Sequence, residues 1–385
     1  MALRAGLTIA VVTDPSRVLE LFTELVAIPS PPGEERAVAD RVSDELRSMG
    51  LEPVEDDAAR RVGGSMGNII ARIPASGGRS GTPIFLCAHL DTVPPTAPIE
   101  PLVDEGVVRN ARPTILGADD KAAVAVMLEA ARRILEDGRA CAGVELVFTP
   151  KEETGLEGAK ALDLDRVGAR LGFVFDHAGS IGEVVAAAPS STALDATFRG
   201  RAAHAGMHPE EGRSAILAAG RAIADLRLGR VDAETTANVG KITGGTARNI
   251  VPDRCEVELE ARSHDERKLA ELVRETTETL VFAAALADCE VDVRVEEKYG
   301  ASRLRPEDEP LALAFRALAA AGFHPRPIAA GGGADANVFN ARGRPCANLA
   351  NGMARIHSAD EHIAVADLEA MVDVTLRLVD AARDA

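Results

Sequence analysis

The spacing of apolar positions changes several times along the chain, and each change predicts a different element. Val18, Leu21, Phe22, Leu25 and Val26 recur at helical spacing. Asp14-Pro15 supplies an N-cap and a first-turn proline for that helix, and Ile28-Pro29-Ser30-Pro31-Pro32-Gly33 stops it. A second helix is expected from about Glu34 to Met49, closed by Gly50. Short runs rich in β-branched residues follow at Asn68 to Ile73, Ile84 to Ala88, Val144 to Phe148 and Leu171 to Phe175. Such continuous apolar runs suit strands buried on both faces, and helical patterns, notably Asp119 to Leu135, separate most of them. The expected fold class is α/β, with a mixed, largely parallel central sheet flanked by helices.

The pattern changes after about Pro189. Ala193 to Arg199 alternates as a strand, Gly212 to Leu228 is helical, and Thr236 to Ile242 and Cys255 to Ala261 alternate again. Asp265 to Leu286 is helical and Glu290 to Val295 alternates. This β-α-β-β-α-β order is the ferredoxin-like plan. From about Glu307 the chain returns to helix, glycine-rich loop, strand and a final helix, Val365 to Ala382. Residues 1–189 and 299–385 are therefore expected to form one domain, interrupted by a smaller one at 190–298.

Composition narrows the function. Lys plus Arg total 43 against 60 Asp plus Glu, a formal charge of −17, which argues against nucleic acid or an anionic membrane as partner. Five scattered cysteines without a CxxC pair suit a reducing compartment. The weakly apolar Ala5 to Val12 stretch lacks a cleavage site, and no run approaches the roughly 20 apolar residues that cross a bilayer, so a cytoplasmic protein is expected.

The acids and histidines carry the chemistry. His89-Leu90-Asp91 closes a strand, where residues two apart share a face and the aspartate can hold one imidazole nitrogen while the other binds a metal. Gly117-Ala118-Asp119-Asp120-Lys121 precedes a helix, Glu152-Glu153 follows a strand, Asp176-His177 follows another, and His357 lies in a late loop. Singly, each has a plain structural explanation as a cap or a solvated group. Jointly, His89, Asp119, Glu153, Asp176 and His357 supply five nitrogen and oxygen ligands. Three carboxylates within about 4–6 Å resist ionisation without cations. Two divalent ions about 3.5–4 Å apart relieve this and require one shared carboxylate. Asp119 is the candidate bridge, with His89 and Asp176 completing one metal and Glu153 and His357 the other. Glu152 remains free to accept a proton from a metal-bound water. The donor set suits zinc, manganese or cobalt and does not choose among them.

These motifs resemble the dinuclear zinc metallopeptidases that include peptidase T, glutamate carboxypeptidase and the aminoacylases. The resemblance runs from about Arg17 to Ala382 and rests on Ala88-His89-Leu90-Asp91-Thr92-Val93, Gly117 to Lys121, Glu152-Glu153-Thr154-Gly155 and His357. Peptidase T-like members are closest in Gly200-Arg201-Ala202-Ala203-His204-Ala205-Gly206 and in Gly331-Gly332-Gly333-Ala334-Asp335-Ala336-Asn337. Peptidase T itself has Asp-Gly where this chain has Asp176-His177.

The resemblance implies that Asp91 orients His89 and that Glu152 is general base, then acid to the leaving amine. It implies that His204, on the inserted lid, polarises the scissile carbonyl, often in the active site of a partner subunit. Asn249, Arg262 and Gly332 are the implied substrate-binding residues; the planar guanidinium of Arg262 fits a carboxylate. The implied activity is metal-dependent hydrolysis of short peptides, of tripeptide aminopeptidase type, by a homodimer joined through the lid. An N-acyl-amino-acid amidohydrolase or a carboxypeptidase would use the same centre. A non-catalytic metal-binding protein is a third alternative, and Glu152 beside Glu153 argues against it.

Overall fold

The computed structural model describes residues 16–78 and 81–385. Asp14, Pro15 and the Ala5–Val12 stretch lie outside the described residues. Along the chain come α1 (Arg17–Val26), α2 (Arg36–Ser48), β1 (Ile69–Ile73), β2 (Ile84–His89), α3 (Ala118–Glu136), β3 (Val144–Thr149), β4 (Leu171–His177) and β5 (Glu183–Ala188). Then follow β6 (Ser190–Arg199), α4 (Ala215–Asp225), β7 (Thr235–Gly244), β8 (Arg254–Ser263), α5 (Glu266–Leu286) and β9 (Glu290–Tyr299). The chain closes with α6 (Glu309–Ala320), α7 (Asp335–Ala341), β10 (Cys346–Ala350) and α8 (Val365–Arg383).

Two compact units result. The larger holds the described residues up to Ala186 together with Leu304–Ile328 and Ala334–Ala385; the smaller holds Ala187–Arg303 and Ala329–Gly333. The short Ala329–Gly333 stretch groups with the smaller unit because Ala330 N–H donates to Ala187 O (2.8 Å) and Gly333 N–H to Tyr299 Oη (3.0 Å).

In the larger unit the sheet runs β1-β3-β2-β4-β10-β5. The four central strands, β3, β2, β4 and β10, are parallel, while β1 and β5 pair antiparallel at either side. The sheet is the mixed, largely parallel one expected. Every residue of β2 and β3 is buried, as their mainly apolar runs lead one to expect; the acidic exception in β3, Glu145, pairs with Arg72 at 2.6 Å. Helix α3 is buried almost all round because it packs on β2 and β4 and against α1 and α8. Phe85 of β2 lies opposite Gly172 of β4, and a Cβ there would sit 2.0 Å from its ring; the same ring meets Phe339 of α7 edge-on at 4.9 Å. Parallel strands end on one edge, so β2, β3, β4 and β10 deliver their following loops to the same place.

The smaller unit has strand order β7-β8-β6-β9, all neighbours antiparallel, with α4 and α5 packed on β6 and β8. Its β-α-β-β-α-β order is the ferredoxin-like plan. Its core is built on Leu194, Ala196, Phe198, Val257, Leu259 and Leu280. Helix α4 is shorter than its apolar pattern suggests. Arg213 pairs with Arg201 in a β-bridge, and Ser214 caps the helix by accepting Leu217 N–H at 3.2 Å. The strand β5 and a three-stranded sheet of Pro101–Asp104, Val107–Asn110 and His362–Ala364 were not expected from the sequence. Among the described residues no helix is long and apolar enough to cross a membrane.

Candidate metal centre

All the candidate ligands of the larger unit except Asp119 come from a strand end or from a loop beyond one. β2 ends on His89, β3 leads into Glu152-Glu153, β4 carries Asp176 as its penultimate residue, and the chain beyond β10 brings His357. Asp119 comes from the opening of α3, where Gly117 has φ +79° and Asp119 and Asp120 depart from helical angles. A helix entered through such a turn leaves its first N–H groups free for other partners.

Asp119 is the hub. Its Oδ1 lies 3.2 Å from His89 Nε2 and its Oδ2 lies 3.2 Å from His357 Nε2. His357 Nε2 is also 2.9 Å from Glu153 Oε1. Candidate ligand atoms of His89, Asp119 and Glu153 all lie within 4.8 Å of one another, as do those of His89, Glu152 and Asp176, and of Asp119, Asp120 and Asp176. The fold therefore gathers His89, Asp119, Glu153, Asp176 and His357 into one cluster, with Glu152 at its edge.

Asp91 is fully buried and works in two directions. His89 Nδ1 is 2.9 Å from the Asp91 carbonyl oxygen and 3.5 Å from its carboxylate, so the backbone is the nearer partner of the ring. The Asp91 carboxylate accepts the main-chain N–H groups of Glu152 (2.9 Å) and Glu153 (3.1 Å). It thereby holds the turn that carries both glutamates.

The electrostatics show a centre overloaded with negative charge. Burial, then Asp176, pushes the Glu152 carboxyl well above its ordinary range. Burial, then Asp119, does the same to Asp176. Burial opposes a charge on His89, but hydrogen bonds to Asp119 and Asp91 outweigh it and raise its pKa. His357, bonded to Asp119 and Glu153, is raised to about 10. Burial works against ionisation of Asp119, yet the two histidines hold its carboxyl well below the usual range. Asp120 Oδ2 is buried with no hydrogen-bond partner among the described residues. Buried charge of this density needs paired cations. Two imidazoles and a crowd of carboxylates form a donor set that fits divalent ions.

Several residues that hold the centre escaped the sequence reading. Asn348, inside the buried β10, brackets Asp176 by accepting its N–H (2.9 Å) and donating to its carbonyl (2.7 Å). Asn351 donates to Phe175 O at 2.6 Å. Glu361 accepts three N–H groups from the segment ending in Asp119. Lys121 is fully buried, donates to Ile28 O at 2.5 Å, and is lowered to about 7 by burial. Asp335 accepts from Thr149 Oγ1 at 2.6 Å, and burial raises it to about 6. A buried polar residue in an apolar run, such as Asn348, was the available signal.

The remaining candidates lie in the smaller unit. His204 is exposed, and its Nδ1 accepts N–H groups from Gly206 and Met207, both at 3.1 Å. The neutral ring therefore carries its proton on Nε2. His204 and Ile250 form a β-bridge, and Ala205 N–H donates to Asn249 O at 2.9 Å, so Asn249 lies beside His204. Arg262 pairs with Glu260 at 2.9 Å on the same face of β8. A Cβ on Gly332 would approach Arg262 Nη1 to 3.4 Å, so glycine lets that loop pass close to the guanidinium.

Comparison with known proteins decides the family. Residues 85–381 match peptidase family M20/M25/M40. The chain belongs to that family. It is a peptidase T-like member and a peptide-bond hydrolase, and the family is metal-dependent. An uncharacterized protein of Bacillus subtilis, YqjE, is 36% identical over 366 residues, covering 95% of this chain and 98% of its own. The crystal structure of the aminopeptidase PepT from Bacillus cereus is 37% identical with a TM-score of 0.82, covering 95% of this chain and 98% of that one. A tripeptidase from Staphylococcus aureus is 32% identical with a TM-score of 0.88, covering 96% and 98%.

Proposed function

We propose that this M20/M25/M40 member is a metal-dependent exopeptidase that removes the amino-terminal residue from short peptides, tripeptides above all. The observation that carries this reading is the Asp119 carboxylate set between two imidazoles, with Glu152 within reach of His89 and Asp176. The PepT and tripeptidase relatives support the peptide-length class. Asp119 would be shared by two divalent ions, His89 and Asp176 completing one and Glu153 and His357 the other. Zinc is the first choice, and manganese or cobalt suits the same donors. Such ions supply Lewis acidity at the scissile carbonyl and a water acidic enough to attack near neutral pH.

Glu152 takes the proton of the attacking water and returns it to the leaving amine. Its raised pKa suits a carboxyl that must both accept and donate near neutrality. Asp91 holds Glu152 and Glu153 in place through their backbone. His204 presents an Nε2–H donor to the developing oxyanion, with its tautomer set by Gly206 and Met207. Arg262, Asn249 and Gly332 receive the substrate carboxylate. The smaller unit serves as lid and dimerisation domain, so that His204 works in the active site of the partner subunit, and the enzyme is cytoplasmic.

A substrate panel tests the proposal. Free tripeptides should be cleaved in preference to N-acetylated tripeptides and N-acyl amino acids. Preferential cleavage of N-acyl amino acids would assign an amidohydrolase, and release from the carboxyl end a carboxypeptidase.

A further inference from the structure

Glu361 is 2% exposed. Its Oε2 accepts the N–H groups of Leu116 (2.8 Å) and Gly117 (2.9 Å), and its Oε1 accepts that of Asp119 (3.1 Å). Glu361 stands four residues after His357. The loop that carries both is closed by paired hydrogen bonds between Ala354 and His362, at 2.9 and 3.1 Å. Within it Glu361 N–H donates to Ser358 O at 3.2 Å. This one loop grips the Asp119 segment twice. His357 meets the side chain at 3.2 Å, and Glu361 binds the backbone.

We propose that Glu361 is a positioning residue: it fixes the Leu116–Asp119 turn so that Asp119 offers one oxygen to each imidazole, and thereby sets the affinity for divalent ions. The inference rests on the reading of Asp119 as the shared ligand. The turn needs such a clamp. Gly117 has φ +79° and Asp119 is non-helical, so helical hydrogen bonds do not fix the carboxylate's direction. Three donors converge on two oxygens, which a carboxylate alone satisfies. A glutamine at this position must turn its NH₂ either toward the Asp119 N–H or toward those of Leu116 and Gly117. A buried donor facing a donor loses its bond and pushes the turn away.

The test uses the full-length protein, freed of metal by chelation and titrated with Co²⁺ while its visible absorption is followed. Wild type should take up two equivalents. Glu361→Gln should keep the far-ultraviolet circular dichroism of wild type, bind Co²⁺ about 10–100-fold more weakly, and show an altered visible spectrum. Its kcat should fall with KM near that of wild type. A variant with wild-type Co²⁺ affinity and spectrum, changed only in melting temperature, overturns the inference, because Glu361 is then only a helix cap. Asp119→Ala runs in parallel. If it binds Co²⁺ as wild type does, the ligand reading fails and this inference falls with it; if it loses Co²⁺ while Glu361→Gln does not, this inference alone fails. Should Glu361→Gln not fold, hydrogen exchange of the wild-type amides decides. The Leu116, Gly117 and Asp119 amides should exchange slowly in the metal-free protein, whereas protection that appears only on adding metal overturns the proposal.

Discussion

Adding zinc to the chelated protein at pH 7.5 should drive protons off the ligand side chains. His357 has a pKa of about 10 because Asp119 and Glu153 accept its hydrogen bonds. At pH 7.5 it is therefore about 99% protonated, against about 10% for an imidazole of ordinary pKa. His89 is shifted the same way: burial opposes the charge, and hydrogen bonds to Asp119 and Asp91 prevail. Asp176 is shifted toward its protonated form, because burial and then Asp119 raise its pKa.

A divalent ion requires neutral imidazoles and ionised carboxylates. Full loading should thus release about one proton from His357 alone, where an unperturbed imidazole would release about 0.1, and the raised pKa values of His89 and Asp176 add to that count. An ionising water adds about one more. The sign follows. Metal affinity rises with pH until the folded pKa values are passed. In the metal-free protein the raised pKa of His357 favours folding below its unfolded value near 6.5, and that contribution fades as pH climbs through about 10. Isothermal titration calorimetry in buffers of different ionisation enthalpy reads the proton count. Total release of about one proton or fewer would refute the reasoning, because the ligands would already be in their metal-ready forms.

Two further outcomes follow from the same geometry. Glu152→Gln is isosteric, and the Asp91 carboxylate still holds its backbone, so metal content should stay while kcat drops about 10²–10⁴-fold; normal turnover would remove Glu152 as the base. His204→Ala should lower kcat about 10²–10³-fold with an unfolding free energy within about 0.5 kcal/mol of wild type, since the side chain is exposed; kinetics like those of wild type would exclude it as the oxyanion donor.

The parts of the fold that could be read from the sequence were those with a strong local code. The runs ending at His89, Thr149 and Phe175 are mostly apolar because they are buried on both faces, and that pattern announced parallel strands. Asp265 marked the start of α5, and its side chain accepts the N–H groups of Arg267 and Lys268. His89, Asp119, Glu153, Asp176 and His357 stood out because each acid or imidazole sits where a strand, helix or loop begins or ends. Glu361 did not stand out. It lies in a polar string, and its partners are more than 240 residues away in sequence. Nothing local marks such a contact. The Asp91 carboxylate lies 3.5 Å from His89 Nδ1 and also accepts the Glu152 and Glu153 N–H groups, contacts across about 60 residues that nothing local in the sequence marks. The α4 pattern misled at both ends because pairing between Arg201 and Arg213 overrides helical propensity, and extended geometry at Leu226 stops the helix.

The most direct test of the dinuclear centre is anomalous diffraction at the zinc edge from crystals of the zinc-loaded protein. Two peaks about 3.5–4 Å apart are expected, with the Asp119 carboxylate between them, one beside His89 and Asp176 and the other beside Glu153 and His357. A single peak, or peaks remote from Asp119, would contradict a dinuclear centre there.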